Sequence, residues 1–446
     1  MPTDLDLLPS RVLKDAKKAG ADDAEVWVQE STRLTVRVRQ GLVEELTEAT
    51  TRSLHLRVYV EQRLARTSCS DLHVRTLDGL AKRTVERAWK AGQDRLSGLP
   101  EKTDTVPEAE TLDLYDDELE EVGAAEGVKL ARETERIGLQ LDPRIKNSGG
   151  AGFHSSRGRV WLANSRGFEG SYRYTSCSLG LYLLGQEEGR AAQVADYWYT
   201  TSRHRKQLES AEQVARQTVD RVRRHFGARK VATEEVPVVY EPLLAADLIS
   251  DVFGAVRGES IYLRRSFLVD ALGEKVAAKG VTVVDDGLRP GGLGTRPFDR
   301  EGVASQKTVV LDDGVLRNYL CGTYSARKLK SKSTGNGTGD GEAPTNFYLA
   351  AGPHPPEAIV ASVKRGLYLT RMIGQGVNLV TGDYSRGAFG LWIEDGQFAF
   401  PVHEVTVSGN LRRMLEGMEM VGNDLEFRDQ FAAPTVKIAS MTLAGT

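Results

Sequence analysis

The sequence predicts an α+β protein of two domains, from three observations. Its 446 residues exceed what one ordinary core organises. Several segments alternate β-branched or apolar residues with polar ones, the period of a half-buried antiparallel sheet. Others carry apolar stripes at helical spacing, and 40% hydrophobic with 27% charged residues suffices for a core and its solvated surface.

From the N-terminus, Asp4 to Lys18 is an amphipathic helix by the spacing of Leu5, Leu8, Val12 and Ala16, and Gly20 is placed to stop it. The strands AEVWVQE, LTVRVRQ and SLHLRVYVE follow. A second helix spans Leu72 to Ala91 on the stripe Leu77, Leu80, Ala81, Val85 and Ala88. The Pro-, Thr- and acid-rich stretch from Leu99 to Asp117 reads as a surface connection. A helix from Glu118 to Arg136 comes next, its acidic first turn suiting the helix dipole. GRVWLANS and TSCSLGLYLLG are strands, and Gln207 to Phe226, apolar at Val214, Val219 and Val222, closes the first domain. The boundary falls between Lys230 and Glu235, giving domains 1–230 and 231–446.

The second domain is richer in strands and glycine. VPVVYEP opens it, a helix covers Leu243 to Val256, and GVTVVDDG is a strand ending in a turn. Asp313-Gly314 and Asp395-Gly396 have the turn chemistry of two hairpins. A helix from Leu411 to Met420 and the strand TVKIASMTLA finish the chain, which has no internal repeat and no coiled-coil heptads.

Composition excludes several function classes. A net charge of -3 offers no global attraction to nucleic acid or anionic lipid. The basic stretches Arg203 to Lys206, Arg221 to Lys230 and Arg327 to Lys332 are diluted by acids and read as solvated faces, so no direct nucleic-acid role follows. Three cysteines, Cys69, Cys177 and Cys321, form no CxxC pair, so a reducing compartment fits. With no secretory leader pattern and no apolar run near the ~20 residues that span a bilayer, the chain reads as cytoplasmic, with no membrane partner.

Catalytic signatures are sparse. Zinc needs three or four convergent His, Cys or carboxylate ligands. His403-Glu404 is the sole His-Glu pair, and it continues as VTVSG, a strand in which the two point to opposite faces. The run from Ser333 to Gly341 lacks the lysine of a phosphate-binding loop and reads as a mobile loop able to clamp a peptide or partner. The pairs Asp285-Asp286 and Asp312-Asp313 are turn residues before they are catalytic carboxylates. Whether distant residues such as His154 and Cys177 converge is left open.

A resemblance extends this reading. GTRPFDREGVASQKTVVLDDGVLRNYLCGTYSARKL, KSTGNG, PTNFYLAAG and VTGDYSRGAFGLWIEDGQFAFPVHEVTVSGNL resemble, in that order, the C-terminal domain of the TldD/PmbA family. SLHLRVYVE, LDLYDDELE, NSRGFEGSY and DYWYTTSR resemble its N-terminal half. The resemblance implies a strand-rich, barrel-like second domain and a heterodimeric peptidase of two subunit types. The TldD type carries His-Glu-x-x-x-His on a helix, completed by a cysteine, and holds zinc; the TldE/PmbA type lacks those ligands. Here the corresponding helix reads LLAADLISDVFGAVRGE, and registering it on Ser266 and Gly273-Glu274 puts the motif positions near Ile249, Ser250 and Gly254, none a zinc ligand.

The resemblance therefore implies a TldE/PmbA-type subunit with no catalytic residue and no cofactor of its own, zinc belonging to a TldD-type partner. Its substrates would be unfolded or small extended peptides, including modified-peptide precursors, held by pairing with an exposed strand edge. Candidate peptide or partner contacts are Ser333, Thr334, Gly335 and Asn336, with Gly382, Asp383, Tyr384, Ser385 and Arg386, because both segments join glycine freedom to polar groups able to meet a backbone. The other reading of both is turns within a barrel-like sheet. The competing function is a self-standing homodimeric peptide- or protein-binding protein of the gyrase-modulator type.

Overall fold

The computed structural model describes residues 4–101, 106–189, 193–374 and 376–445. Its first half is built on a six-stranded antiparallel sheet. The strands are β1 (Asp23–Arg39), β2 (Leu42–Val60), β3 (Arg63–Cys69), β4 (Ile145–Asn164), β5 (Glu169–Gln186) and β6 (Gln193–Ser202), in the order β3-β2-β1-β4-β5-β6. AEVWVQE and LTVRVRQ, read as two strands, form the single strand β1, since Ser31, Thr32 and Arg33 between them offer no glycine or proline to turn the chain.

Five helices accompany this sheet: α1 (Leu8–Lys18), α2 (Val74–Leu77), α3 (Leu80–Trp89), α4 (Ala124–Gln140) and α5 (Ala211–Arg223). The alternation of the strands puts Val26, Val28, Leu54 and Leu56 on one face, against Leu8, Val12 and Val85 of α1 and α3. Further along the same face Val36, Phe153 and Leu181 meet Val214 and Val222 of α5. Two expected helices differ in detail. Gly79, at φ +70°, breaks the second into α2 and α3. The acidic stretch becomes a 3-10 turn, Asp117–Glu120, capped by Asp116, and the α-helix starts only after Gly123.

The second half holds two sheets. Its strands are β7 (Glu234–Tyr240), β8 (Val283–Asp286), β9 (Lys307–Asp312), β10 (Val315–Leu316), β11 (Phe347–Leu349), β12 (Arg365–Ile373), β13 (Asp383–Glu394), β14 (Gln397–Asn410), β15 (Met418–Val421), β16 (Phe431–Ala432) and β17 (Val436–Ala444). The pairings β14-β13-β12-β7-β17 return to β14 through Thr406–Ser408, closing a five-stranded barrel with β15 alongside. The smaller sheet runs β10-β9-β8-β11-β16. The helices are α6 (Pro242–Val256), α7 (Gly258–Tyr262), α8 (Thr323–Lys328), α9 (Pro356–Ala361) and α10 (Leu411–Glu416). The architecture is α+β, and among the described residues no helix is long and apolar enough to cross a membrane.

Both Asp-Gly turns are hairpin turns: Asp313 and Gly314 have φ +48° and +84°, and Asp395 and Gly396 have φ +48° and +78°. The His403-Glu404 expectation needs correction. Glu404 has φ +53° where the β13–β14 register slips, so strict alternation of faces fails there, and its carboxylate pairs with Lys230 at 3.0 Å.

The halves meet on the sheet face opposite the helices. Phe298 inserts against Trp27, Val160 and Leu162, with Phe168 and Tyr172 edge-on to its ring at 5.1 and 5.3 Å. The basic stretches are not uniformly solvated faces. Arg203 is buried and donates to the carbonyls of Gly292, Leu293 and Thr295. Arg327 donates to those of Leu96, Gly98 and Leu99. Arg221 and Arg224 both reach Glu241 at 2.8 Å. A guanidinium spreads five donors in a planar fork, which suits capping loop carbonyls across an interface.

Candidate functional site

The helix singled out by the sequence, α6, starts with Pro242 at its first turn and buries Leu244, Ala245, Leu248, Ile249, Val252, Phe253 and Val256. Phe253 packs on Phe347 and Phe431 at 5.5 and 5.8 Å, which fixes the helix against the smaller sheet. The remaining face carries Asp247, Ser250, Asp251 and Gly254. Strand β13 reaches this face through Arg386, which donates from Nη2 to Asp251 Oδ2 at 3.0 Å. The guanidinium also stands 5.3 Å from the Tyr384 ring centre, and the Tyr384 hydroxyl points to Met372 Sδ at 3.0 Å.

The structure thus brings two of the candidate contact residues, Tyr384 and Arg386, to α6. Their neighbours form the turn that delivers the strand. Gly382 has φ +82°, Asp383 accepts from the Thr381 hydroxyl, and Ser385 shares a hydrogen bond with Ser408. Burial pushes Asp251 up to about 6, with the Arg386 charge pulling down and Asp247 pushing up.

These residues do not fit zinc. Ile249 is fully buried in the core, Ser250 gives its hydroxyl proton to the Asp247 carbonyl at 2.7 Å, and a Cβ on Gly254 would lie 3.0 Å from Leu379. The two carboxylates of the face share it with a fixed cation, and among the described residues no three His, Cys, Asp or Glu side chains are grouped to hold a metal. His154 and Cys177 do not converge. They lie on adjacent antiparallel strands, His154 opposite Ser178, and Cys177 points into the core, where burial pushes its thiol up to about 12.

The glycine-rich run is tethered, against the expectation of a mobile clamp. Asn336 is fully buried and donates to Asp285 Oδ2 at 2.7 Å and to the Ala343 carbonyl at 3.0 Å. Ser333 and Thr334 hydroxyls bond the Cys321 carbonyl, and Gly337 N–H donates to Asp299 Oδ2 at 2.7 Å. Gly335, at φ +73°, would bring a Cβ within 2.6 Å of the Ala304 carbonyl. The polar groups do meet a backbone, but the protein's own. Asp285, read as a turn residue, is instead a buried strand residue that anchors this loop and also accepts from Thr345 N–H at 2.8 Å.

Beyond the loop, Gly339 and Asp340 reach the first half. The Gly339 carbonyl accepts from Arg57 at 3.2 Å and from Arg66 at 3.0 Å. Arg57 also pairs with Glu25 and lies 3.8 Å from Glu301. Arg57, Arg66, Glu301 and Asp340 line a cavity of about 300 Å³ between the halves together with Asp94, Glu259, Tyr262 and Tyr324. Burial and the neighbouring Glu301 carboxylate push Asp299 up to about 7. Sequence reading missed this arginine–carboxylate cluster, since Glu25, Arg57 and Glu301 come from strands and loops far apart in the chain.

Comparison with known proteins follows the whole chain. Family models described as PmbA/TldA metallopeptidase domain 1, central domain and C-terminal domain match residues 24–91, 117–226 and 233–445. Metalloprotease PmbA of Escherichia coli O157:H7 is 33% identical over 95% of this chain and 93% of its own length. The PmbA homologue of Haemophilus influenzae is 34% identical, covering 96% and 94%. A crystal structure from Bacteroides thetaiotaomicron, described as a modulator of DNA gyrase, superposes with a TM-score of 0.91 at 26% identity, covering 98% of both chains. TldE from Thermococcus kodakarensis has the same fold, with a TM-score of 0.88 at 19% identity over 98% of this chain and 99% of that one.

Proposed function

The chain belongs to the PmbA/TldD metallopeptidase family, and from that premise we propose that it is a non-catalytic, TldE/PmbA-type subunit of a heterodimeric zinc metalloprotease. Its TldD-type partner holds the metal, and the pair cleaves unfolded or small peptides, including modified-peptide precursors. The observation that carries this reading is the Asp251–Arg386 ion pair on α6. A zinc hydrolase needs neutral or anionic lone-pair donors there and a free carboxylate to take a proton from water. In this chain the Arg386 guanidinium occupies Asp251, the carboxylate next to the positions of the zinc motif, so a metal ion there would meet a fixed positive charge. What the chain supplies is a wall of the substrate chamber, with Asp383, Ser385, Arg386 and the half-buried Ser333 and Thr334 as contacts, and the buried Gly382, Tyr384, Gly335 and Asn336 shaping those segments from behind.

The test is cleavage of an unstructured peptide, with metal analysis, by this chain alone and mixed with a TldD-type partner. Zinc and activity in the mixture alone support the assignment. Zinc-dependent cleavage by the chain alone overturns it.

A second reading, a self-standing homodimeric binding protein, draws on the unpaired edge of β2. Only Leu54–Val60 of that strand pairs with β3, and Leu42, Val43 and Leu46 lie exposed on the remainder. A stable homodimer that excludes the TldD-type chain in sedimentation would favour it.

A further inference from the structure

We propose that the cleft between the halves above the N-terminal turns of α6 binds a positively charged group of a peptide, its amino terminus or a lysine or arginine side chain. The cleft has a volume of about 350 Å³ and is walled by Trp198, Tyr199, Ala246, Asp247, Asp429 and Phe431. It lies one helical turn from the Asp251–Arg386 pair and is separate from it.

Three features set the charge of its occupant. First, the arginines in the wall are spoken for. Arg221 and Arg224 each reach Glu241 at 2.8 Å, and Arg428 reaches Glu209 and Glu426 at 2.8 Å. Second, the Asp247 carboxylate takes no hydrogen bond or ion pair among the described residues. The neighbouring Arg386 is bonded to Asp251 instead, and Asp247 stands at an exposed position of α6 where the packed cleft wall raises its carboxyl from the ordinary value against the pull of the Arg386 charge. A carboxylate with no hydrogen-bonded partner on the wall of a cleft gains from a cation that enters it. Third, the walls are aromatic. Trp198 already holds the Arg428 and Arg221 guanidinium groups at 4.1 and 5.4 Å from its ring centre, and Tyr199, stacked on Tyr197 outside the cleft, is the ring left to meet a further cation.

Recognition here is through side chains. Two carbonyls of β6 are already capped, Ala195 by Arg371 and Tyr199 by Arg428, both at 2.9 Å, so a peptide pairing along that strand would have to compete with them. An acidic peptide would meet Asp247 and Asp429 with no free cation to offset them.

This inference deepens the subunit reading and rests on it only for the ligand being a peptide. Its test uses the purified full chain alone, with no cleavage measured, so its failure is distinct from failure of the heterodimer assignment. Fluorescent hexapeptides are titrated: acetylated all-alanine, the same with a central lysine, the same with a central glutamate, and all-alanine with a free amino terminus. At least one cationic peptide should bind about tenfold tighter than the acetylated alanine peptide, and which one assigns the source of the charge. Asp247→Asn, at an exposed helix position, should cut that preference to within twofold. Ala246→Arg, which brings its own guanidinium to Asp247, should do the same, with thermal melts confirming that both variants fold. Equal binding of all four peptides, absence of binding by the cationic ones, or a preference that survives both substitutions would overturn the proposal.

Discussion

Arg386 on β13 and Asp251 on α6 are joined by a 3.0 Å hydrogen-bonded ion pair although 135 residues separate them. The pair couples the barrel wall to the helix face on which the functional assignment rests. Because Asp251 is pushed up to about 6 from an ordinary 3.8, the folded protein holds a proton there that the unfolded chain releases. Stability from this group is full below about 4 and is lost as pH rises through about 6. Asp251→Asn should flatten the unfolding free energy between pH 4 and 6, measured by urea denaturation; an unchanged slope would reject the assignment.

Arg57 faces two carboxylates, Glu25 and Glu301, at the junction of the halves. Arg57→Met leaves both without this cation and leaves the Gly339 carbonyl to Arg66 alone. A loss of about 3–5 kcal/mol is expected, as for breaking a buried pair from one side. Amide exchange across residues 333–341 should accelerate at the same time. Slow exchange in that loop with the variant folded would show that the tether lies elsewhere.

Asn336 separates the two readings of the glycine-rich run. If its work is structural, Asn336→Ala should cost about 1–3 kcal/mol by leaving the buried Asp285 oxygen unsatisfied. Asn336→Asp should cost more, by setting two carboxylates face to face. Wild-type stability with weakened peptide binding would instead make it a ligand contact.

Gly376 guards the approach to the Gly382–Arg386 segment. A Cβ there would lie 1.7 Å from the Ser385 carbonyl, so Gly376→Ala must displace β13. The expected cost is about 1–3 kcal/mol, as for overpacking, with loss of the Arg386–Asp251 coupling. A double-mutant cycle between Arg386→Gln and Asp251→Asn in the Gly376→Ala background would show it as a vanished interaction energy.

Much of the fold was legible locally. Asp313-Gly314 and Asp395-Gly396 announce their hairpins because two consecutive positive φ angles select those residues. The turns Gln40-Gly41 and Glu61-Gln62 adopt the same angles and were not foreseen, because Gln and Glu seldom stand there. Helix ends moved where one glycine, Gly79, Gly123 or Gly417, outweighed the apolar stripe, so the helix expected from Leu411 to Met420 stops at Glu416 and Met418–Val421 pairs as β15. In the candidate site, the segment Gly382–Arg386 was identifiable from glycine and polar content, whereas the Asp247 cleft was not, since its walls come from β6, α5, α6 and the chain leading into β16.

The sequence by itself determined the period of each element, the hairpin turns and the absence of His-Glu-x-x-x-His from α6, because each depends on residues close together in the chain. Only the tertiary structure decided that the barrel closes through β14 and β17 and that Arg203 and Arg327 cap carbonyls between the halves. It also decided that Asn336 is buried and that Arg386 neutralises Asp251 while Asp247 keeps its charge unpaired. The reason is physical. A charged side chain takes its role from the partner within a few ångströms, and folding brings that partner from a distant part of the chain.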